Sequence, residues 1–465
     1  MSVTSSGTDT LSPGLKSRHI RMLSIAGVIG AGLFVGSGHA IAEAGPAVLI
    51  AYLIAGGLVV MIMRMLAEMA VSTPDSGSFS TYAQKALGRW AGFTIGWLYW
   101  WFWVLVIPLE ANAAATILNS WFPQVAIWEF TLVITLLLTA SNLFSVKHYG
   151  EFEFWLALVK VVAIVAFLVV GCIAIFGLIP SSKVSGMSHL YDTGGFMPHG
   201  FGAVLAAVLT TMFSFMGTEI VTIAAAESKN PGREISRATN SVIWRISLFY
   251  LLSILFIVSL VPWNTPDLAN KGSYQTVLEL IGIPHARLIV DIVVLTAVCS
   301  CLNSALYTSS RMLYSLAKRK DAPAVAGKTS GSGTPWAAVL LSTAAAFLAV
   351  FANYFAPAAV FDFLLASSGA IALLVYLVIA LSHLVMRKRM EARGESPDYK
   401  MWLFPGLTYA IIVVIVGILC AMLFMPDHRS EIIATGILAV LVVLSGLLVH
   451  RRQYSSKGVL QQTRS

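Results

Sequence analysis

The sequence predicts an all-α membrane protein of about twelve transmembrane helices, and three observations carry that prediction. Hydrophobic residues make up 57% of the 465, with a mean hydropathy of +0.81. Charged residues reach 11%, under half the roughly 25% of soluble domains, too few to cover a water-facing surface. The apolar residues fall in continuous runs rather than alternating ones, and in lipid such runs must be helices that satisfy their own backbone groups. A water-soluble enzyme is excluded on these grounds.

Twelve runs begin near Ile20, Pro46, Trp90, Ile127, Phe154, Phe201, Val242, His285, Trp336, Val360, Trp402 and Glu431. Each leaves room for the roughly 20 apolar residues that a crossing needs. The boundaries of the seventh and eighth are soft. With the N-terminus in the cytoplasm, twenty-five of the thirty basic residues fall in cytoplasmic segments. Lys183, Lys271, Arg287 and Arg429 fall outside, and Lys160 lies within the membrane. That asymmetry fixes the orientation, calls for an even number of spans and accounts for the net charge of +8 without nucleic acid. The polar stretch Met1–Pro13 lacks the basic and short apolar regions of a cleaved signal, so the first run is read as a retained span.

The first span carries glycines at 27, 30, 32, 36 and 38. Glycine in a helix interior costs about 1 kcal/mol against alanine, so the cluster means either close helix packing or an unwound stretch. In the second reading the freed backbone N–H groups, with a half-helix starting near Ala31, face an anion from within a cavity. In the second span Arg64 and Glu68 are spaced to pair with each other. The third holds the aromatic run Trp97–Trp103, read chiefly as packing and anchoring, then Pro108 and Glu110, which would meet a substrate amine or hold a kink.

The fifth span contains Lys160, which either snorkels to the interface or faces the bundle and changes its protonation during a cycle. The sixth is interrupted at Gly217 with Glu219 close behind, either a functional carboxylate or a hydrogen bond between helices. A second broken helix after four intervening spans is what a five-plus-five inverted repeat predicts. The eighth offers Cys301, Asn303 and Ser304 as cavity-lining candidates, and Ser304–Lys320 reads as an amphipathic helix at the cytoplasmic mouth. Asp291 and Asp362 lie near outer ends and are expected to be solvated. The cysteines sit in apolar runs and imply neither disulfides nor zinc. Gly327–Pro335 fails the spacing of a phosphate loop, and the common protease and hydrolase signatures are missing. No cofactor or ATP-driven engine is expected, which leaves transport driven by an ion gradient.

Together AGVIGAGLFVGSG, the PLEANAA stretch beginning at Pro108, YGEFEFWLALVKV and MFSFMGTEIV resemble the amino acid–polyamine–organocation superfamily, and within it the bacterial GABA permeases. The resemblance covers nearly the whole chain. It implies a ten-helix inverted-repeat core at 20–385, two additional helices at 386–450 and cytoplasmic tails at 1–19 and 451–465. It implies that the backbone of Ile29, Gly30, Ala31 and Gly32 binds a substrate carboxylate. Phe213, Met216 and Glu219 would form the gate, and Lys160 would couple transport to protons. Ala31 replaces a serine found in some relatives, so backbone donors must suffice, and Phe213 replaces a tryptophan gate. Glu110, Cys301 and Asn303 remain candidates near the amine, with Glu110 and Glu219 equally open as its partner. The expected activity is proton-coupled uptake of GABA or a similar short zwitterion at a bacterial inner membrane. An amino-acid/amine exchanger and a non-transporting sensor are the alternatives.

Overall fold

The computed structural model describes residues 16–462 apart from 27, 28, 76, 145, 227, 229 and 356. Met1–Pro13 and Gly27 lie outside the described residues, as does the side chain of Asp362. All regular structure among the described residues is helical. The first half holds α1 (Ser17–Ala26), a π-helical turn (Gly32–Gly36), α2 (Ser37–Ala44), α3 (Val48–Ser72), α4 (Ser78–Leu87) and α5 (Arg89–Trp121). There follow α6 (Ile127–Leu143), α7 (Val146–Ile175), α8 (Gly200–Phe215), α9 (Ile220–Ala226), α10 (Pro231–Arg245) and α11 (Ser253–Leu260). The chain closes with α12 (Asp267–Asn270), α13 (Ser273–Ile281), α14 (Ala286–Lys318), α15 (Trp336–Phe355), α16 (Pro357–Ala392), α17 (Gly406–Leu423) and α18 (Pro426–Gln462).

Nine of the described helical segments are long and apolar enough to cross a membrane, and Ile127–Leu143 and Trp336–Leu348 are shorter apolar helices. The first of the nine, Gly32–Ser72, is 41 residues long. As one helix it would measure about 60 Å, twice the hydrocarbon thickness. It is divided at Gly45, whose φ of 64° is a conformation glycine adopts without strain, followed by Pro46. With two crossings in that segment, the helices supply the twelve spans of the predicted fold.

Among the described residues two spans are interrupted, and they stand five apart, as an inverted repeat of five plus five requires. Span 1 leaves its helix after Ala26 and resumes at Ala31 with the π turn. Span 6 stops at Phe215 and restarts at Ile220; Met216 is extended and Gly217 has a φ of 97°. The breaks meet, for a methyl group on Gly32 would stand 2.9 Å from the Ser214 Cα. The long helices α5 and α14, 33 residues each, complete the centre of the bundle.

Several expectations are corrected. Span 7 starts at Pro231, well before Val242, because the amphipathic α10 buries Glu234, Ile235, Ala238 and Thr239 and hydropathy does not register it. Proline at its first turn is preorganised for that start. Ser304–Lys320 is not a separate amphipathic helix: α14 runs through it to Lys318, and Ser304–Ala317 is buried throughout. Arg64 and Glu68 do not pair. Glu68 accepts from Arg387 Nη1 at 3.0 Å and the Met401 N–H at 2.6 Å, while Arg64 donates to the Tyr399 hydroxyl at 2.9 Å and stacks on Trp402. The inner end of α3 is covered by α16 and the 399–402 loop, which offer both residues better-placed partners. Asp291 is not simply solvated, since it accepts from the Trp121 indole at 3.3 Å.

Candidate functional site

The break in span 1 presents its backbone to the interior. The Ala31 N–H donates to both carboxylate oxygens of Glu110, at 3.2 and 3.1 Å. Glu110 reaches it from α5, two residues past the in-helix Pro108, and is buried. A carboxylate at the start of a half-helix is favoured by the partial positive charge there. Gly30 makes the approach possible: a methyl group in its place would lie 2.6 Å from Glu110 Oε1 and 2.7 Å from Cys301 Cβ.

Beside this contact lies a tight cavity of about 10 Å³, room for about one water, lined by Gly32, Phe102, Trp103, Val106, Glu110, Phe213, Ser214, Met216 and Cys301. That is far below the roughly 300–1,000 Å³ usual for small-molecule sites, so the side chains around it are closed on one another. Five of the expected residues thus share one cavity: Gly32, Glu110, Phe213, Met216 and Cys301. Ile29, Gly30 and Ala31 adjoin it through the backbone. Phe102 and Trp103, expected chiefly to pack and anchor, both line the cavity, and the Trp103 indole N–H has no hydrogen-bond partner among the described residues.

Lys160 does not snorkel. It is 0% exposed, and its ammonium donates to the Ile29 carbonyl at 3.2 Å and to the Ser300 hydroxyl at 2.7 Å. A cation thereby holds a carbonyl that the broken helix leaves free. Ser300 in turn donates to Glu153 Oε1 in a short hydrogen bond, and Glu153 stands 3.9 Å from the ammonium. Sequence reasoning gave Glu153 no role. The available signal was its place seven residues before Lys160, two turns along one helix face.

Glu219 and Asn303 lie away from the cavity lining. Glu219 accepts from the Gly217 N–H at 3.0 and 3.1 Å and from the Tyr99 hydroxyl at 2.8 Å, so it closes the break in span 6 and ties it to α5. Asn303 accepts from the Asn142 amide at 2.7 Å and joins α14 to α6. Arg245, counted from sequence as a cytoplasmic charge, is buried between the breaks. It donates to the Ser24 carbonyl at 2.6 Å and the Thr218 hydroxyl at 2.5 Å, linking span 1 to span 6.

The family model described as "Amino acid permease" matches residues 19–457. The gamma-aminobutyric acid permease of Escherichia coli is 68% identical over 439 residues, 94% of this chain and 94% of that protein. A probable GABA permease of Pseudomonas aeruginosa is 66% identical over 445 residues, 96% of this chain and 94% of its own length. Among solved structures, a manganese transporter of Eremococcus coleocola superposes with a TM-score of 0.57 at 14% identity, over 93% of this chain and 92% of that one. At that identity the likeness speaks for the fold. With the family match running nearly from end to end, the chain belongs to the amino acid permease family, multi-pass membrane transporters rather than enzymes.

Proposed function

We propose that the chain imports GABA, or a closely similar short zwitterionic amino acid, across a bacterial cytoplasmic membrane by proton-coupled alternating access. The observation that carries this reading is the carboxylate of Glu110 seated on the Ala31 N–H at the edge of the cavity. The backbone of the broken helix already accommodates the chemical group that a substrate would bring. The names of the relatives at 66% and 68% identity support GABA as that substrate.

In this reading the substrate carboxylate takes the place of Glu110 on the Ile29–Gly32 backbone. Phe102, Trp103, Phe213 and Met216 enclose the methylenes, with the aromatic faces also suited to an ammonium. Glu110, once released, is free to meet that ammonium, with Cys301 beside it. Phe213 and Met216 gate the cavity, while Glu219 acts through the span 6 break rather than on the substrate. Asn303 acts on the α14–α6 contact. Lys160 couples protonation to the geometry of span 1 through the Ile29 carbonyl. The transport core spans 20–385, the helices within 386–450 flank it, and both termini face the cytoplasm.

Uptake of labelled GABA into proteoliposomes under an imposed pH gradient tests the reading. Excess GABA and β-alanine should compete strongly, and proline and aromatic amino acids weakly. A protonophore should abolish accumulation. Stronger competition by an aromatic amino acid, or accumulation indifferent to the protonophore, would overturn it. The aromatic arm matters because an aromatic amino acid transport protein of Corynebacterium glutamicum is 43% identical over 95% of this chain.

A further inference from the structure

Glu153 lies two turns before Lys160 on α7, toward the membrane face that the basic residues assign to the cytoplasm. Glu153 is 1% exposed and Lys160 0%. Charges this deep are costly unless paired or neutralised. At 3.9 Å the two are at the limit of direct pairing. The Ser300 hydroxyl joins them more closely: it accepts from Lys160 Nζ at 2.7 Å and donates to Glu153 Oε1 in a short hydrogen bond. Donor, hydroxyl and acceptor are therefore aligned in one direction.

We propose that Glu153 is the proton acceptor of Lys160, reached through the hydroxyl of Ser300. The proposal rests on the proton-coupled reading above. In the step, one N–H bond of the ammonium breaks as its proton bonds to Ser300 Oγ. The original hydroxyl proton leaves Oγ and bonds to Glu153 Oε1. Lysine becomes a neutral amine, glutamate a neutral acid, serine is unchanged, and one proton has advanced along α7. A neutral amine donates more weakly to the Ile29 carbonyl than an ammonium does, because charge-assisted hydrogen bonds are about twice as strong. Proton transfer thereby loosens the hold that Lys160 has on the break in span 1. Other ionisable groups act on Lys160 as well: Cys301 from α14, Glu110 from α5 and Arg245 from α10. None of these shares the serine bridge.

The test uses the full chain in proteoliposomes at equal reconstituted amounts. It measures the ratio of pH-gradient-driven GABA accumulation to GABA–GABA exchange across a range of external pH. The ratio is expected to fall on the order of tenfold or more in Lys160→Ala, Glu153→Gln and Ser300→Ala, as for loss of a proton-transfer group. Its pH dependence should flatten in Glu153→Gln and Ser300→Ala, and Ser300→Thr, which keeps the hydroxyl, should restore it. A profile that merely scales down without changing shape would mean a structural role and overturn the relay. Native-like ratios in Glu153→Gln and Ser300→Ala beside a collapsed ratio in Lys160→Ala would also overturn it, leaving the proton-coupled reading intact. A native-like ratio in Lys160→Ala would instead sink that reading. Ser300→Ala, which removes a single oxygen, decides the matter if Glu153→Gln does not reconstitute.

Discussion

Gly30 stands where a single methyl group would overlap the Glu110 carboxylate and the Cys301 side chain at once, at 2.6 and 2.7 Å. Both are buried: the Cβ of Cys301 can yield only with the backbone of α14, and the Glu110 carboxylate only by leaving the Ala31 N–H. Gly30→Ala is therefore expected to push α5 and α14 away from the break. Overpacking of this kind costs about 1–3 kcal/mol, and a comparable loss of site geometry corresponds to on the order of tenfold or more in uptake. Initial-rate uptake at matched membrane levels measures it; a variant transporting at the native rate would show that the close approach is dispensable. The five glycines in span 1 made the break legible in sequence. What met the exposed backbone was not legible, because Glu110 lies 79 residues away along the chain and only packing brings it there.

Among the elements, the two broken helices are held by different means. In span 6 the repair is local, with Glu219 accepting from Gly217 two residues earlier. In span 1 it comes from a distance, through Lys160 on the Ile29 carbonyl and Arg245 on the Ser24 carbonyl. Arg245 also donates to Thr218, so one side chain clamps both breaks. Arg245→Met removes the donor to the Ser24 carbonyl, a loss of about 1–3 kcal/mol for a buried group, while the Thr218 hydroxyl keeps its bond to the Phe215 carbonyl. The expected outcome is a clearly lower melting temperature of the detergent-solubilised protein, read by intrinsic tryptophan fluorescence. An unchanged melting curve would mean that the clamp contributes nothing to stability. Hydropathy missed the start of α10, and the charge count accordingly placed Arg245, at its end, in a cytoplasmic segment. A polar helix that turns its few apolar residues inward looks like a loop when its residues are averaged.

For the whole molecule, the apolar runs made the span number legible in the sequence, and the asymmetry of basic residues predicts the orientation. Lipid leaves the backbone few alternatives, so composition alone carries far. The networks that fasten the spans to each other were hidden, Glu68 with Arg387 being an example from residues 319 apart. The orientation predicts that a cysteine at Lys183→Cys is labelled by a membrane-impermeant maleimide added to intact cells. A cysteine at Lys328→Cys should be labelled only after permeabilisation. Cys172 and Cys420 are exposed on the helices, so both experiments need a background in which the native cysteines are replaced. Reversed labelling would invert the topology and with it the direction of the proposed proton path.

The seat of Glu110 bears on selectivity. Any ligand that docks there by its own acid group displaces an equivalent acid group, so the two contacts nearly cancel and the swap yields little net affinity. Discrimination must then come from the ligand's opposite end and from the length of its hydrocarbon spacer. In the proposed substrate pose, simple fatty acids offer only the cancelled half of the exchange and are expected to compete poorly with labelled GABA.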